Sequence, residues 1–491
     1  MEYKSLSMMF ADKLKMNKNK YVVIDSDRKV TYQYLAHIIG IIQNKMKNLT
    51  RFKEASVIAF RFRNSVEYIA TYIATIGLGK IAQPIYYEYN FVDLKRILLQ
   101  SKADFFIDSK NDIDINEYLL SCPLISSKWL FNDLEKSQNM NISPIFEESN
   151  PNDPVLYLTS SGTTGSSKVI AHSNLSLLLN IEMHINSLNL GKGAVGLAAL
   201  PLPFGYSNMT QFLVHIYLNG TLVLGEALNY PTIFLNAIRV NRVTDTTVVP
   251  YFLSLLLYYM NNRGDSFRNL FSLKYILFGG GVLSQETFMK LKKLSGKSLN
   301  FVQTYGSTEC GPRITTKIID SVYDKSNLGK PLNGVKITIT NANNTGNGLI
   351  KITTPSLMLG YVKKGNIEKN TETSFIPGDV GKINKQGELI FKSRVKNMLK
   401  YRGFNLQVEE VEHEIIQLLK GDLSNLDIRV GQSLEGDLVL ELHTDTVVKE
   451  GNIKQKIKGL SAYMRPTIVK IVDKIPRTAN GKIKRPEYLL I

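Results

Sequence analysis

The sequence predicts an α/β protein. Strand-like and helix-like segments alternate from Ser56 onward, 491 residues exceed what one hydrophobic core can organise, and the pattern turns strand- and turn-rich beyond residue 330. Val57-Ile58-Ala59-Phe60 is a short apolar run fit for a buried strand. Ser65 to Ile76 is apolar at 66, 69, 70 and 73, the spacing of one helix face. Ile81 to Ile85 reads as the next strand and Asp93 to Gln100 as the next helix. Such alternation predicts parallel-type sheets with helices on their faces.

Ser143 to Asp153 is polar, carries Pro144 and Pro151, and reads as a surface linker. Val155-Leu156-Tyr157-Leu158 is a strand entering a Ser/Thr/Gly loop, and His172 to His184 predicts a helix. Tyr275-Ile276-Leu277-Phe278 is a buried strand ending in Gly279-Gly280-Gly281. Val335 to Thr340, Leu349 to Thr353 and Leu389 to Lys392 are short strands of a β-rich subdomain. Charge density rises from Arg394 to Arg402. Beyond it Val408 to Leu419, Leu438 to Leu442 and Ile468 to Ile471 give the chain a second apolar pattern, enough for a small α+β domain. The expected division is a large N-terminal domain, 1–394, and a small C-terminal one, 395–491.

Composition excludes several classes. A hydrophobic share of 44% and a charged share of 21% suit a globular protein, and no stretch approaches the ~18 apolar residues of a membrane span. Met1 to Lys20 lacks the apolar core and cleavage site of a signal peptide, so the expected location is cytoplasmic. Cys122 and Cys310 form no CxxC or Cys/His cluster, and the six histidines show no HExxH pattern, which argues against structural zinc and disulfides. The net charge of +17 favours anionic partners in general. Its lysines are spread along the chain without a nucleic-acid-binding motif, so no nucleic-acid partner is expected.

Ser160-Ser161-Gly162-Thr163-Thr164-Gly165-Ser166-Ser167-Lys168 follows a strand with small residues. Glycines let the backbone approach phosphate oxygens, hydroxyls donate to them, and Lys168 adds charge. The Gly-Lys pairing of a Walker A loop is missing. Other motifs accompany this loop: Thr31-Tyr32, Asn64-Ser65 through Pro84, Gly279-Gly280-Gly281, Tyr305-Gly306-Ser307-Thr308-Glu309 and Pro377-Gly378-Asp379-Val380-Gly381. Ser393-Arg394-Val395-Lys396, Lys400-Tyr401-Arg402-Gly403-Phe404 and Pro476-Arg477-Thr478-Ala479-Asn480-Gly481-Lys482 complete the set. In content, order and distance it resembles the adenylate-forming superfamily of acyl-CoA synthetases, nonribosomal-peptide adenylation domains and luciferases.

The resemblance implies an enzyme that activates a carboxylic acid with ATP and Mg²⁺ as an acyl-adenylate, then passes the acyl group to a thiol. It implies that Lys482 is the mobile cation at the carboxylate and α-phosphate, Thr308 the hydrogen-bond donor to that phosphate, and Glu309 the magnesium ligand. Ser160, Ser161, Gly162, Thr163, Thr164, Gly165 and Lys168 hold the β/γ-phosphates. Gly279, Gly280, Gly281, Tyr305, Gly306 and Ser307 form the adenine side of the ATP site, with Asp379 at the ribose hydroxyls and Arg394 at ribose or phosphate. Lys396 marks the hinge of a mobile C-terminal domain, and Gly403 leaves room for a pantetheine arm.

Leu200-Pro201-Leu202-Pro203-Phe204-Gly205-Tyr206-Ser207-Asn208 corresponds to the superfamily's acyl-pocket motif, with Phe204, Gly205, Tyr206 and Asn208 as lining candidates. Phe204 stands where many acyl-CoA synthetases have His. Gly205 stands where amino-acid adenylation domains have the Asp that pairs with the substrate ammonium. An α-amino group would lack its charge partner there, so the expectation is a non-amino carboxylic acid. His215, inside an apolar run, reads as a core residue. The acceptor is CoA or the phosphopantetheine of a separate carrier protein. Alternatives are a stand-alone amino-acid or aryl-acid adenylation enzyme, a non-catalytic nucleotide-binding relative, and a luciferase-like oxygen chemistry.

Overall fold

The computed structural model describes residues 2–16, 18–110, 122–132, 134, 142–160, 168–225, 230–264, 266–267, 270–281, 283–295, 298–320, 322–395, 398–401, 404–433, 437–460, 464–478, 482–485 and 489. Of the residues singled out from the sequence, Ser161, Gly162, Thr163, Thr164, Gly165, Lys396 and Gly403 lie outside the described residues.

Two large mixed sheets carry the N-terminal part, as the α/β expectation requires. In the first, Pro154–Thr159, Ile81–Ile85, Val57–Arg61, Phe105–Asp108 and Leu124–Ser126 run parallel, and Val169–Ser173, Gly360–Lys363 and Asn366–Lys369 extend it antiparallel. Its central strand Val57–Arg61 is buried at every residue, which is why the sequence there is a continuous apolar run rather than an alternating one. Helix Val66–Gly77 crosses over behind it, and Ser65 caps the helix by accepting from Tyr68 N. At the carboxyl end of this strand, Arg61 and Asp108 form a two-pronged ion pair at 2.8 and 2.6 Å with both side chains 1% exposed.

The second sheet runs in the order Lys330–Pro331, Thr315–Ile319, Asn300–Tyr305, Tyr275–Gly279, Asp245–Val248, Val195–Ala198, Thr221–Leu224, Tyr21–Asp25 and Arg28–Thr31, parallel in its centre and antiparallel at both edges. The segment expected to be a helix from His172 divides differently. His172 and Ser173 finish strand Val169–Ser173, and the helix is Asn174–Leu188. Ser173 and Ser176 make a reciprocal capping box, so the helix starts where its first amides find acceptors. Residues 142–150 carry no regular structure, yet Ile142 and Phe146 pack on the first core and Gln43 bonds the Ile145 backbone in both directions.

A smaller β-rich layer follows, with Lys336–Thr340, Gly348–Thr353, Asp379–Ile383 and Leu389–Arg394 antiparallel to their neighbours. Beyond residue 397, helices Val408–Leu419 and Glu450–Lys456 pack with strands Asp427–Gln432, Leu438–His443 and Ile468–Ile471 around a core of their own, including Val411, Ile415, Leu440 and Ile453. Among the described residues no helix is long and apolar enough to cross a membrane. Both cysteines are buried and form no disulfide, and burial, the leading cause for each, pushes the thiols up to about 12.

Candidate functional site

A cleft opens where several strand ends converge. Thr159, Leu200, Phe204, Gly205, Tyr206, Ser207, Val249, Gly279, Gly280, Thr304, Gly306, Ser307, Thr308, Pro312 and Lys482 line it. Each wall follows from the topology. Strand Tyr275–Gly279 delivers the glycines, parallel strand Asn300–Tyr305 delivers Thr304 and the Gly306–Thr308 turn, and strand Pro154–Thr159 delivers Thr159. Two glycines are sterically required. A Cβ at Gly306 would collide with the Pro312 carbonyl, and Gly280 holds φ +73°, a left-handed conformation.

Lys482 enters this cleft from the C-terminal part. Its backbone is pinned by Thr478, whose N donates to Lys482 O at 2.6 Å and whose Oγ1 accepts from Lys482 N at 3.2 Å. An isolated bridge between Arg477 and Ile483 closes the same turn. The ammonium reaches Gly280: a Cβ there would lie 3.2 Å from Lys482 Cε and 3.8 Å from Nζ. Burial and the Arg394 charge pull the Lys482 pKa below the ordinary lysine range, while Asp379 and Glu309 oppose that shift. Elsewhere the described contacts of the C-terminal part with the rest of the chain include an ion pair and a cation–ring contact. Lys420 pairs with Glu286 at 2.6 Å, and the Arg477 guanidinium lies 4.8 Å from the Tyr251 ring centre.

Thr308 and Glu309 sit on one 3₁₀ turn, Thr308–Cys310. The Thr308 carbonyl takes a hydrogen bond from His172 Nε2 at 2.9 Å, which anchors the turn to the first sheet. His172 is fully buried, and burial carries its pKa down to about 4 against the opposing pull of that carbonyl. The ring is therefore neutral, with Nε2 the donor. Tyr361 Oη donates to Glu309 Oε1 at 3.1 Å, and Lys168 Nζ stands 4.4 Å from the Tyr361 ring centre. Ser160 N donates to Lys168 O at 2.9 Å, which brings these two residues together.

Asp379 and Arg394 are cross-strand partners directly opposite one another. Arg394 donates from Nε to Asp379 Oδ1 at 2.5 Å and from Nη2 to Oδ2 at 3.2 Å, and Tyr305 Oη donates to Oδ2 at 2.7 Å. Asp379 is 1% exposed, so its carboxylate is held in one orientation. Burial works against the Arg394 charge, but Asp379 outweighs it and the pKa ends raised. Burial and then Asp379 push the Tyr305 phenol well above its usual value, keeping it a neutral donor.

The acyl-pocket candidates separate. Phe204, Gly205 and Tyr206 line the cleft, with Tyr206 Oη and Thr304 Oγ1 2.6 Å apart and Phe204 against the Tyr86 ring. Asn208 does not line it. It is fully buried at the start of the π-helical turn Asn208–Leu213, accepts from Tyr72 Oη at 3.2 Å and donates to Leu202 O at 3.1 Å. His215 is a core residue, as read: Nδ1 bonds Gln211 O at 2.6 Å and Nε2 faces Asp245 at 3.2 Å. Gly281 is outside the lining, and Pro250 lies at ordinary contact distance from a Cβ built there. Sequence reading missed His172, Thr159, Thr304, Pro312 and Tyr361. Among them only the tyrosine, isolated in a short strand, carried no local signal at all.

The residues fit a phosphorylated nucleotide. The buried Thr159 hydroxyl has no hydrogen-bond partner, Lys482 and Arg394 supply cations, and glycine backbone faces the open space. The profile of the AMP-binding enzymes matches residues 10–362, and the chain belongs to this family. It is an AMP-forming acid–thiol ligase, working through an acyl-adenylate. Among similar proteins, a 2-succinylbenzoate–CoA ligase of Oceanobacillus iheyensis is 25% identical over 483 residues, 95% of either chain. Bacitracin synthase 3 of Bacillus licheniformis is 24% identical over 98% of this chain, which spans 8% of that protein. The structure of O-succinylbenzoate coenzyme A synthetase from Bacillus subtilis, in complex with ATP and magnesium ion, superposes with a TM-score of 0.81 at 20% identity, covering 97% of this chain and 98% of that one.

Proposed function

We propose that this cleft joins a non-amino carboxylic acid to the α-phosphate of ATP, releasing pyrophosphate, and then gives the acyl group to the thiol of CoA or of a separate carrier protein's phosphopantetheine, releasing AMP. The observation that carries the assignment is Lys482, a cation borne by the C-terminal part yet held beside Gly280 in the same cleft as Thr308. Two anions must meet for adenylation, and a partly desolvated ammonium between them stabilises the charge that builds up. Thr308, fixed through its carbonyl by His172, presents its hydroxyl to the α-phosphate. Tyr305 flanks adenine beside the Gly279–Gly281 backbone. Asp379, oriented by Arg394, keeps lone pairs for the ribose hydroxyls. Ser160, Lys168 and the loop between them take the β- and γ-phosphates.

Glu309 would hold Mg²⁺ through the oxygen that Tyr361 leaves free, and the ion when bound neutralises phosphate charge. No carboxylate lines the cleft among the described residues, which supports an acid without an α-ammonium group. The chain aligns end to end with a CoA ligase, which favours CoA as the thiol. The C-terminal part, 395–491, withdraws Lys482 after adenylation to let the thiol approach.

ATP–pyrophosphate exchange with Mg²⁺ across aryl, fatty, short-chain, dicarboxylic and amino acids tests the first half-reaction. Trapping with CoA against loaded carrier proteins tests the second. Exchange with at least one non-amino acid is the expected result. Silence across every acid would refute adenylation, and exchange confined to amino acids would refute the substrate class.

A further inference from the structure

Among the described residues two arginine side chains, Arg61 and Arg313, are fully buried, and they are satisfied differently. Arg61 has Asp108. Arg313 has no carboxylate within ion-pair distance among the described residues. Its Nη1 meets His184 Nδ1 at 2.5 Å, and its Nη2 donates to Ser187 Oγ at 3.3 Å and Thr316 Oγ1 at 2.5 Å. Its Nε is buried with no partner. His184 accepts through Nδ1, so it is neutral, and burial together with the Arg313 charge keeps its pKa well below the usual histidine value. The groups that bond this guanidinium among the described residues are therefore uncharged. A buried cation without a counter-ion is costly, and folds retain one where something else supplies the anion.

Its position says what that something is. Pro312, the preceding residue, lines the acyl cleft, as do Tyr206 and Thr304. Thr304 is the cross-strand partner of Thr316, which Arg313 holds. Tyr206 is partly buried, its phenol pushed up to about 12 by desolvation, and the nearby Arg313 charge pulls in the opposite direction. The guanidinium thus stands just behind the floor that the Tyr206–Thr304 hydrogen bond forms. Planar N–H pairs of this kind match a carboxylate two-to-two, and the vacant Nε is one half of such a pair.

We propose that Arg313 is the counter-ion for a second carboxylate on the substrate, so that the acid activated here is a dicarboxylic acid. One carboxylate meets Lys482 and the α-phosphate. The distal one takes the Nε donor of Arg313 and the Tyr206 hydroxyl. This inference rests on the adenylation reading above, and its test separates the two.

Exchange is measured with pairs sharing a skeleton: succinate and butyrate, glutarate and valerate, adipate and hexanoate, phthalate and benzoate. For the skeleton that fits, kcat/KM for the diacid exceeds that for the monoacid by about 100-fold, or about 2.7 kcal/mol. Arg313→Met removes that preference by lowering the diacid value about 100-fold while the monoacid changes little, and Arg313→Lys restores part of it. The wild-type panel needs no variant, so a poorly folding Arg313→Met leaves the inference exposed to refutation. Exchange with monoacids at equal or higher efficiency, or with other acids alone, overturns the dicarboxylate inference and leaves adenylation standing. Exchange with none refutes adenylation itself.

Discussion

Replacing Gly280 by alanine tests whether the cleft works by holding Lys482 in place. Gly280 has φ +73°, where an L-residue is strained by about 1–2 kcal/mol. The new methyl would sit 3.2 Å from Lys482 Cε, tighter than ordinary van der Waals contact. The neighbour that must yield is the flexible lysine stem, so the ammonium shifts by several tenths of an ångström. A displacement approaching 1 Å costs about 100-fold in a reaction that depends on alignment. The expected loss in adenylation kcat/KM is therefore about 10- to 100-fold, against roughly 10²–10³ for Lys482→Ala, which removes the cation outright. The assay is a double-mutant cycle in ATP–pyrophosphate exchange. In the Lys482→Ala background Gly280→Ala should cost almost nothing further, because the group it displaces is gone. Transfer from preformed acyl-adenylate to CoA should survive in all three variants. Equal losses from Gly280→Ala in both backgrounds would refute the reasoning and place Gly280's role in nucleotide contact alone.

Other outcomes follow from neighbouring features. Tyr361→Phe deletes one hydrogen bond to Glu309 and should raise the Mg²⁺ concentration for half-maximal exchange by about 2- to 10-fold; an unchanged magnesium titration contradicts the link. Asp108→Ala strands a buried guanidinium and should lower stability to urea by about 3–5 kcal/mol, with Arg61→Met plus Asp108→Leu recovering most of it. His172 has a folded pKa of about 4 against 6.5, so the unfolded chain binds the extra proton between those values and stability falls as pH drops from 6.5 towards 4. That displacement amounts to roughly 3 kcal/mol. The thermal midpoint of His172→Gln should therefore fall less between pH 7 and 4.5 than that of the wild type, and identical slopes would contradict this.

Much of the frame was legible because its signals are local. The apolar run at Val57, the Ser65 cap and the strand before Gly279 each announce themselves within a few residues, and the structure places strands or helices there within one or two positions. His172 misled because apolar residues lie on both sides of it, Val169 to Ala171 before and Leu175 and Leu177 to Leu179 after. Only the Ser173–Ser176 capping box decides where strand gives way to helix. Within the site, the glycine, Thr308–Glu309 and Lys482 segments stood out as contiguous motifs. Tyr361 and Arg313 did not, since each acts through partners far away in sequence: Glu309 for the first, His184 and Ser187 for the second. Asn208 shows the converse. It lies inside a recognisable segment, but its side chain points to Tyr72 and the interior.

The contacts that dock the C-terminal part have a consequence for how the protein responds to its medium. The Glu286–Lys420 pair is about half exposed on both sides, and such pairs contribute about 0.2–1 kcal/mol, with a comparable amount from the Arg477–Tyr251 stack. Energies of that size are only a few times thermal energy. The Debye length shrinks from about 10 Å at 0.1 M salt to about 3 Å at 1 M. On the reading proposed above, ionic strength would act as a dial on how long the Lys482 ammonium stays in the cleft, tuning it without altering any residue inside it.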